Sequence, residues 1–409
     1  MNHQQTPFIP ELLSPAGNFE KMECAFRFGA DAVYLAGKRF GMRSAADNFS
    51  IPELEKAIFY AHSLGKKVYV ALNVMPREGD FSDLVAYLAK LRDLSPDSVI
   101  VADLGVFSLC QRIIPRIPVH ISTQAAVVNS YSCLKWYEMG ARRVVLAREL
   151  SLREIAEIRQ NVPADLELEV FVHGSMCVSI SGRCMLSEYF TGRDANRGEC
   201  AQPCRWQYQF YEKTRPDDVL SCEIHPEGSY LFASKDLCMI EHLNELSEAG
   251  VSSIKIEGRM KSAYYTALVT NAYRIALNRL GSSCDNKDLL NELNFVSHRE
   301  YCTGYYFDPE MMRTNFVAEN GYLGDKSYLC QVESWDPNTR LAACRQKNKF
   351  YASDPLEFIT PGSCGQSLRV DQMLDEEMRE ISSCPHPNML FYLKTDAVLH
   401  AGDVIRRRT

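Results

Sequence analysis

Between His173 and Cys204 the chain reads HGSMCVSISGRCMLSEYFTGRDANRGECAQPC, a stretch rich in Gly, Ser and Arg that holds Cys177, Cys184, Cys200 and Cys204. Thiolates ligate zinc, copper(I) and iron–sulfur clusters, and they are also nucleophiles. Structural zinc sites are usually built from two C-x2–4-C knuckles. The spacings here are Cys177-x6-Cys184, Cys184-x15-Cys200 and Cys200-x3-Cys204, and only the last resembles a knuckle. Wide, uneven spacing suits a cubane cluster, whose corners are reached from separate loop segments. Cys238, in Ser234-Lys-Asp-Leu-Cys238, adds a fifth candidate at the expected start of a helix over KDLCMIEHLNELSEAG. A catalytic thiol would need a base beside it. His173 precedes Cys177 by four residues, but a single nucleophile leaves the other cysteines without a purpose. On residue types alone a metal or cluster site, a catalytic thiol and purely structural thiols all stay open.

The chain around this stretch has 409 residues, 15 of them cysteine, and a formal net charge of −7. An acidic protein is not a non-specific DNA-coating protein, although a local basic patch can still hold a nucleic acid. The opening MNHQQTPFIPELLSPAG lacks the apolar core and basic leader of a signal peptide. No apolar run approaches the roughly 18 residues of a membrane span. The expected location is therefore the cytoplasm. There, clustered thiols point to metal or catalysis, and isolated ones such as Cys24, Cys110, Cys133 and Cys344 to small buried hydrophobes.

Positioning such a loop needs a scaffold, and the pattern supplies one. Eight short apolar runs begin near Glu11, Ala32, Lys67, Ser98, Val119, Arg143, Leu166 and Ser253, each near an amphipathic helical pattern and without hairpin signals. That is the count of a (β/α)8 TIM-like barrel. No G-x-G-x-x-G follows the first strand, so a dinucleotide-binding sheet has no support. The expected divisions are a barrel with the cysteine loop over 1–285, a connecting segment over 286–325 and a small β-barrel domain over 326–409. In the last, short alternating runs are split by Asp-Pro and Pro-Gly turns.

Barrel chemistry sits at the carboxyl ends of the strands. Asn73, Asp103, His120 with Gln124, Arg148 with Glu149, His173, and Glu257 with Arg259 fall at such ends, and Arg43 falls in the loop after the second strand. The cysteine loop leaves the seventh strand and so shares this face. Tyr189, Phe190 and Trp206 flank the cysteines, as base-stacking or as core residues. Arg142, Arg143, Lys261 and the Arg406–Arg408 tail are candidates for a basic strip.

Glu169-Val-Phe-Val-His-Gly-Ser-Met-Cys177, followed by Val-Ser-Ile-Ser-Gly-Arg-Cys184-Met-Leu-Ser187, resembles the signature of the peptidase U32 family. Glu11–Asn18, Gly29–Tyr34, Ser234–Cys238, Lys255–Lys261 and Thr303–Tyr305 resemble its other motifs, so the likeness covers most of the chain. Some members carry a collagenase label. Others are oxygen-independent hydroxylases with a [4Fe–4S] cluster, acting on a tRNA wobble uridine with prephenate, on a 23S ribosomal RNA cytidine, or in ubiquinone synthesis. The length and the C-terminal domain look most like the tRNA branch. The resemblance then implies 5-hydroxyuridine formation in the anticodon region, cluster ligands Cys177, Cys184, Cys200 and Cys238 with Cys204 as the alternative fourth, and prephenate as co-substrate. The planar forks of Arg43, Arg148 and Arg259 suit its two carboxylates, and Asn73, His120, Gln124, His173 and Glu257 complete the expected site. Proteolysis is the alternative, with no HExxH or G-x-S-x-G motif to support it.

Overall fold

The computed structural model describes residues 8–206, 234–282, 284–307 and 328–408. Strands β1 (Glu11–Pro15), β2 (Ala32–Leu35), β3 (Lys67–Leu72), β4 (Ser98–Val101), β5 (Val119–Ile121), β6 (Arg143–Val145) and β7 (Glu167–Ser175) pair in parallel, each with the next. A short β8 (Asp236–Cys238) intervenes before β9 (Ser253–Ile256), which pairs in parallel with both β7 and β1 and closes the ring. The barrel therefore has the eight strands expected. Helices α1 (Phe19–Arg27), α2 (Ile51–Ser63), α3 (Phe81–Leu94), α4 (Leu104–Ile113), α5 (Ser130–Glu138) and α6 (Leu152–Gln160) follow successive strands. Outward residues such as Leu12, Val33, Val70, Val101 and Leu168 are buried against them. Strand ends feed helix starts directly: Asp103 accepts from the backbone N–H groups of Gly105 (2.8 Å) and Val106 (3.0 Å) and caps α4.

Beyond β7 lies α7 (Leu186–Thr191), within the cysteine loop. The helix expected over KDLCMIEHLNELSEAG is mostly something else. Asp236–Cys238 form β8, antiparallel to the end of β7 with His173 opposite Cys238, and only Leu243–Glu248 (α8) are helical. The exposed backbone edge at the long end of β7 takes β8 as a partner, which outweighs the helical pattern of its side chains. Helix α9 (Ala263–Asn278) follows β9. Within the expected connecting segment, α10 (Lys287–Leu293) comes next and β10 (Tyr301–Cys302) pairs with β8. No helix among the described residues is long and apolar enough to cross a membrane.

From Tyr328 to Arg407 the chain forms an antiparallel seven-stranded half-barrel and a two-stranded ribbon, packed over Leu329, Val332, Phe350, Phe391 and Leu393. This is the small β domain expected, and it docks on α1, α9 and α10 rather than over the barrel mouth. Arg27 pairs with Asp403 at 2.6 Å, and Tyr264 stacks on Tyr328 at 4.9 Å. The basic tail is a surface patch only at its end, where Arg408 is exposed and lies 3.5 Å from Glu357. Arg406 is fully buried between Glu292 (2.8 Å) and Glu357 (2.8 Å), with its guanidinium over the Phe295 ring. Arg407 pairs with Asp354.

Candidate active site

The inside of the barrel is unusually polar. Aliphatic layers normally fill it, but here the inward positions include Glu11, Tyr69, His120, Arg143, Glu169 and Lys255, all buried or nearly so. Arg143 Nη1 lies 2.7 Å from Glu11 Oε1 and 2.8 Å from Glu169 Oε2, and Lys255 Nζ lies 2.9 Å from Glu169 Oε1. Arg143 is thus an internal strut and Arg142 pairs with Glu167 at the opposite end of the barrel from the cysteine loop. Neither can belong to a basic strip beside that loop.

Above this ladder, at the carboxyl ends of the strands, opens a cleft with about 670 Å³ of space between atoms, part of it open to solvent. Arg43, Asn73, Gln124, Arg148, Glu257 and Arg259 all line it, as does Cys177. Glu257 accepts from Tyr34 at 3.3 Å and faces Arg43 at 3.6 Å. Burial pushes the Glu257 carboxyl up, but Arg43, Arg148 and Arg259 together hold it below the usual carboxylate range. Arg148 donates to the Ser175 carbonyl (3.0 Å) and lies over the Phe171 ring. Arg259 is buried and serves the wall: it donates to the Met42 carbonyl and to Asn48 Oδ1 (3.3 Å), fixing the loop that carries Arg43. Asn73 accepts from Met42 N–H at 3.2 Å and so holds the same loop. Gln124 is buried, and its Oε1 has no hydrogen-bond partner.

Two expected residues are not in the cleft. His120 is wedged inside the barrel, its ring 4.8 Å from that of Tyr69; burial, then Arg143 and Lys255, push its pKa well down. His173 follows a register shift after Phe171 that turns it outward among Tyr265, Tyr273 and Tyr301. Burial depresses it to about 3. Lys255 was missed although it lines the cleft, its Nζ 4.5 Å from the Tyr34 ring centre. Its signal was in plain view: in Lys255-Ile-Glu257, strand alternation puts Lys255 on the face of Glu257.

The cysteine loop is bolted over this mouth. Glu149 accepts from Ser181 N–H (2.8 Å) and Oγ (3.0 Å), and Arg197 holds Asp80 at 2.6 Å. Asn196 clasps the Cys184 backbone through Oδ1 (3.3 Å) and Nδ2 (3.1 Å). Gly198 has φ +93°, and a Cβ there would meet the Gly41 carbonyl at 3.2 Å, so this crossing favours glycine.

Cys177, Cys184, Cys200 and Cys204 share one electrostatic neighbourhood. Burial raises the Cys204 thiol to about 11, Arg205 lowers it, and the charges of Cys177, Cys200 and Cys184 raise it further. At Cys177 burial also raises the thiol, but Arg148 and Arg43 more than offset it and favour the thiolate. Two sulfurs already accept backbone N–H groups, Cys184 from Leu186 and Cys200 from Gln202, each at 3.4 Å. Cys238 lies elsewhere, buried beside Tyr273 with its thiol raised to about 12. Among the described residues no three Cys, His, Asp or Glu side chains converge closely enough to hold a single metal ion.

Comparison with known proteins follows the same division. The profile of peptidase family U32 matches residues 17–315, and that of the peptidase family U32 C-terminal domain matches 325–406. A Bacillus subtilis protein named tRNA hydroxylation protein P1 is 35% identical over 97% of this chain and 94% of its own length. Its Escherichia coli counterpart, tRNA hydroxylation protein P, is 36% identical over 87% of each. A Porphyromonas gingivalis protein named collagenase is 30% identical over 78% of each. With both barrel and β domain matched, the chain belongs to peptidase family U32.

Proposed function

We propose that this chain hydroxylates RNA, specifically the wobble uridine of tRNA at C5, in an oxygen-independent reaction that uses prephenate and a [4Fe–4S] cluster. The observation that carries the reading is the joining of a thiol-rich loop to a cationic cleft: Cys177 lines the cleft beside Arg43 and Arg148. The names of the two near-full-length relatives supply the reaction class. Cys177, Cys184, Cys200 and Cys204 would hold the cluster. The donor set fits, because all four are sulfur, arginines favour the thiolate at Cys177, and backbone N–H groups already point at two sulfurs. When bound, the cluster supplies redox chemistry. Arg43 and Arg148 would hold carboxylates of the co-substrate, and Gln124 would meet the base edge with its unpartnered amide oxygen. Glu257, kept ionised by its arginines, is placed to accept a proton.

The collagenase-named relative raises a peptidase reading. Its nucleophile would be Cys177, but among the described residues no histidine lines the cleft, since His120 lies inside the barrel and His173 behind its wall.

The test is mass spectrometry of tRNA nucleosides from a strain lacking every copy of this enzyme. Loss of 5-hydroxyuridine-derived wobble nucleosides, restored by wild type and not by Cys177→Ala, supports the reading. Unchanged tRNA sinks it.

A further inference from the structure

The cysteine loop has a second face, turned away from the cleft, on which several large apolar side chains are exposed together. Tyr189 is 83% exposed, Met185 74%, Ile180 65%, Phe190 43% and Trp206 42%. Core packing therefore does not explain them. The rings form a continuous run: Tyr189 and Phe190 centres are 5.2 Å apart, Phe190 and Trp206 6.4 Å. Tyr189 and Met185 also line an open groove with Arg183 and Cys184, whose other charged residue is Glu188. Arg193 is exposed just past α7.

This face adjoins the cleft directly. Ser181 and Gly182 line the cleft, and Arg183, the next residue, lines the outer groove. A base inserted beside Cys177 would leave its neighbours in the strand lying across residues 183–190. The platform is tied to the barrel through Ser181 on one side and Arg197 on the other. Exposed aromatic rings interleaved with arginine are the recognition chemistry of unpaired nucleotides, which stack on π-faces while cations meet the phosphates.

Resting on the hydroxylase reading, we propose that the outer face of the cysteine loop is a stacking platform for the single-stranded nucleotides that flank the modified base. Tyr189 and Trp206 supply the stacking faces, and Arg183 and Arg193 the phosphate contacts. This gives an acidic protein a local footprint for RNA that does not depend on Arg142, Arg143 or Arg406, three of the residues expected, with Lys261, Arg407 and Arg408, to form a basic strip.

The experiment measures binding by fluorescence anisotropy to two labelled RNAs, a hairpin with an unpaired loop and a blunt duplex of the same stem, using anaerobically purified holoprotein. Tyr189→Ala and Trp206→Ala should each weaken hairpin binding by about five- to 150-fold. Tyr189→Phe should bind as wild type, and none of the three should change duplex binding or the iron-to-protein ratio. Glu188→Gln should tighten hairpin binding and steepen its salt dependence. If wild type binds the hairpin and the alanine variants bind it equally well, the platform proposal is overturned and the face is left to a protein partner. If wild type binds neither RNA, the hydroxylase reading itself falls.

Discussion

Lys255 Nζ lies 2.9 Å from Glu169 Oε1, joining the floor of the cleft to a buried carboxylate that also receives Arg143 at 2.8 Å. Glu169 is wholly buried and is the shared counter-charge of two cations. Removing one partner of a buried ion network leaves an uncompensated charge, which costs more than the network's net contribution. Glu169→Ala should therefore destabilise the barrel by about 3–5 kcal/mol, read as a lower urea midpoint with an unchanged denaturant slope. A loss under about 1 kcal/mol would mean that water relaxes into the barrel and solvates the stranded cations.

The fourth thiol can be assigned by iron content. Cys177→Ser, Cys184→Ser, Cys200→Ser and Cys204→Ser should each lower iron and acid-labile sulfide in anaerobically prepared protein. Cys238→Ser, beside Tyr273 and away from the loop, should retain both. The opposite result for Cys204 and Cys238 would restore the ligand set that the family resemblance implies.

Arginine geometry at the cleft should matter more than charge. Arg148→Lys keeps a cation but loses the fork that spans Ser175 and the face of Phe171. Its hydroxylation rate should fall roughly ten- to hundred-fold. A suitable control is Arg153→Lys, whose side chain is 87% exposed on α6 and should be neutral. Arg406 is no control, because its replacement would break the buried contact with Glu292 and Glu357. Equal effects at 148 and 153 would remove Arg148 from the site.

Acid should destabilise the fold well above the carboxylate range. His173 is neutral when folded, with burial outweighing the attraction of Asp236 and adding to the repulsion of Lys261 and His298, and its pKa is about 3 against an ordinary 6.5. Between those values the unfolded chain binds a proton that the folded chain does not. Stability therefore falls as pH drops from 6.5 toward 3, by about 1.4 kcal/mol per pH unit from this group. His120 and His298, also lowered by burial, act in the same direction. Equilibrium unfolding across this range should show a shallower pH slope for His173→Phe than for wild type. Identical slopes would show that His173 is protonated in the folded protein.

The sequence by itself determined the barrel, because each strand is a short apolar run set beside an amphipathic helix and such local patterns persist into the fold. Alternation and strand-end position also marked Arg43, Asn73, Gln124, Arg148, Glu257 and Arg259, and all six line one cleft. Tertiary structure alone decided the rest. Cys238 left the expected helix because β8 found the unpaired edge of β7, a contact between segments far apart in the chain. His173 turned outward because a single register shift exchanges the faces of a strand. Arg143 and Arg406 read as surface cations until their carboxylates, distant in sequence, enclosed them. Tyr189 and Trp206 carried the types of either core or binding residues, and only the packing of the cysteine loop against the barrel left their rings exposed.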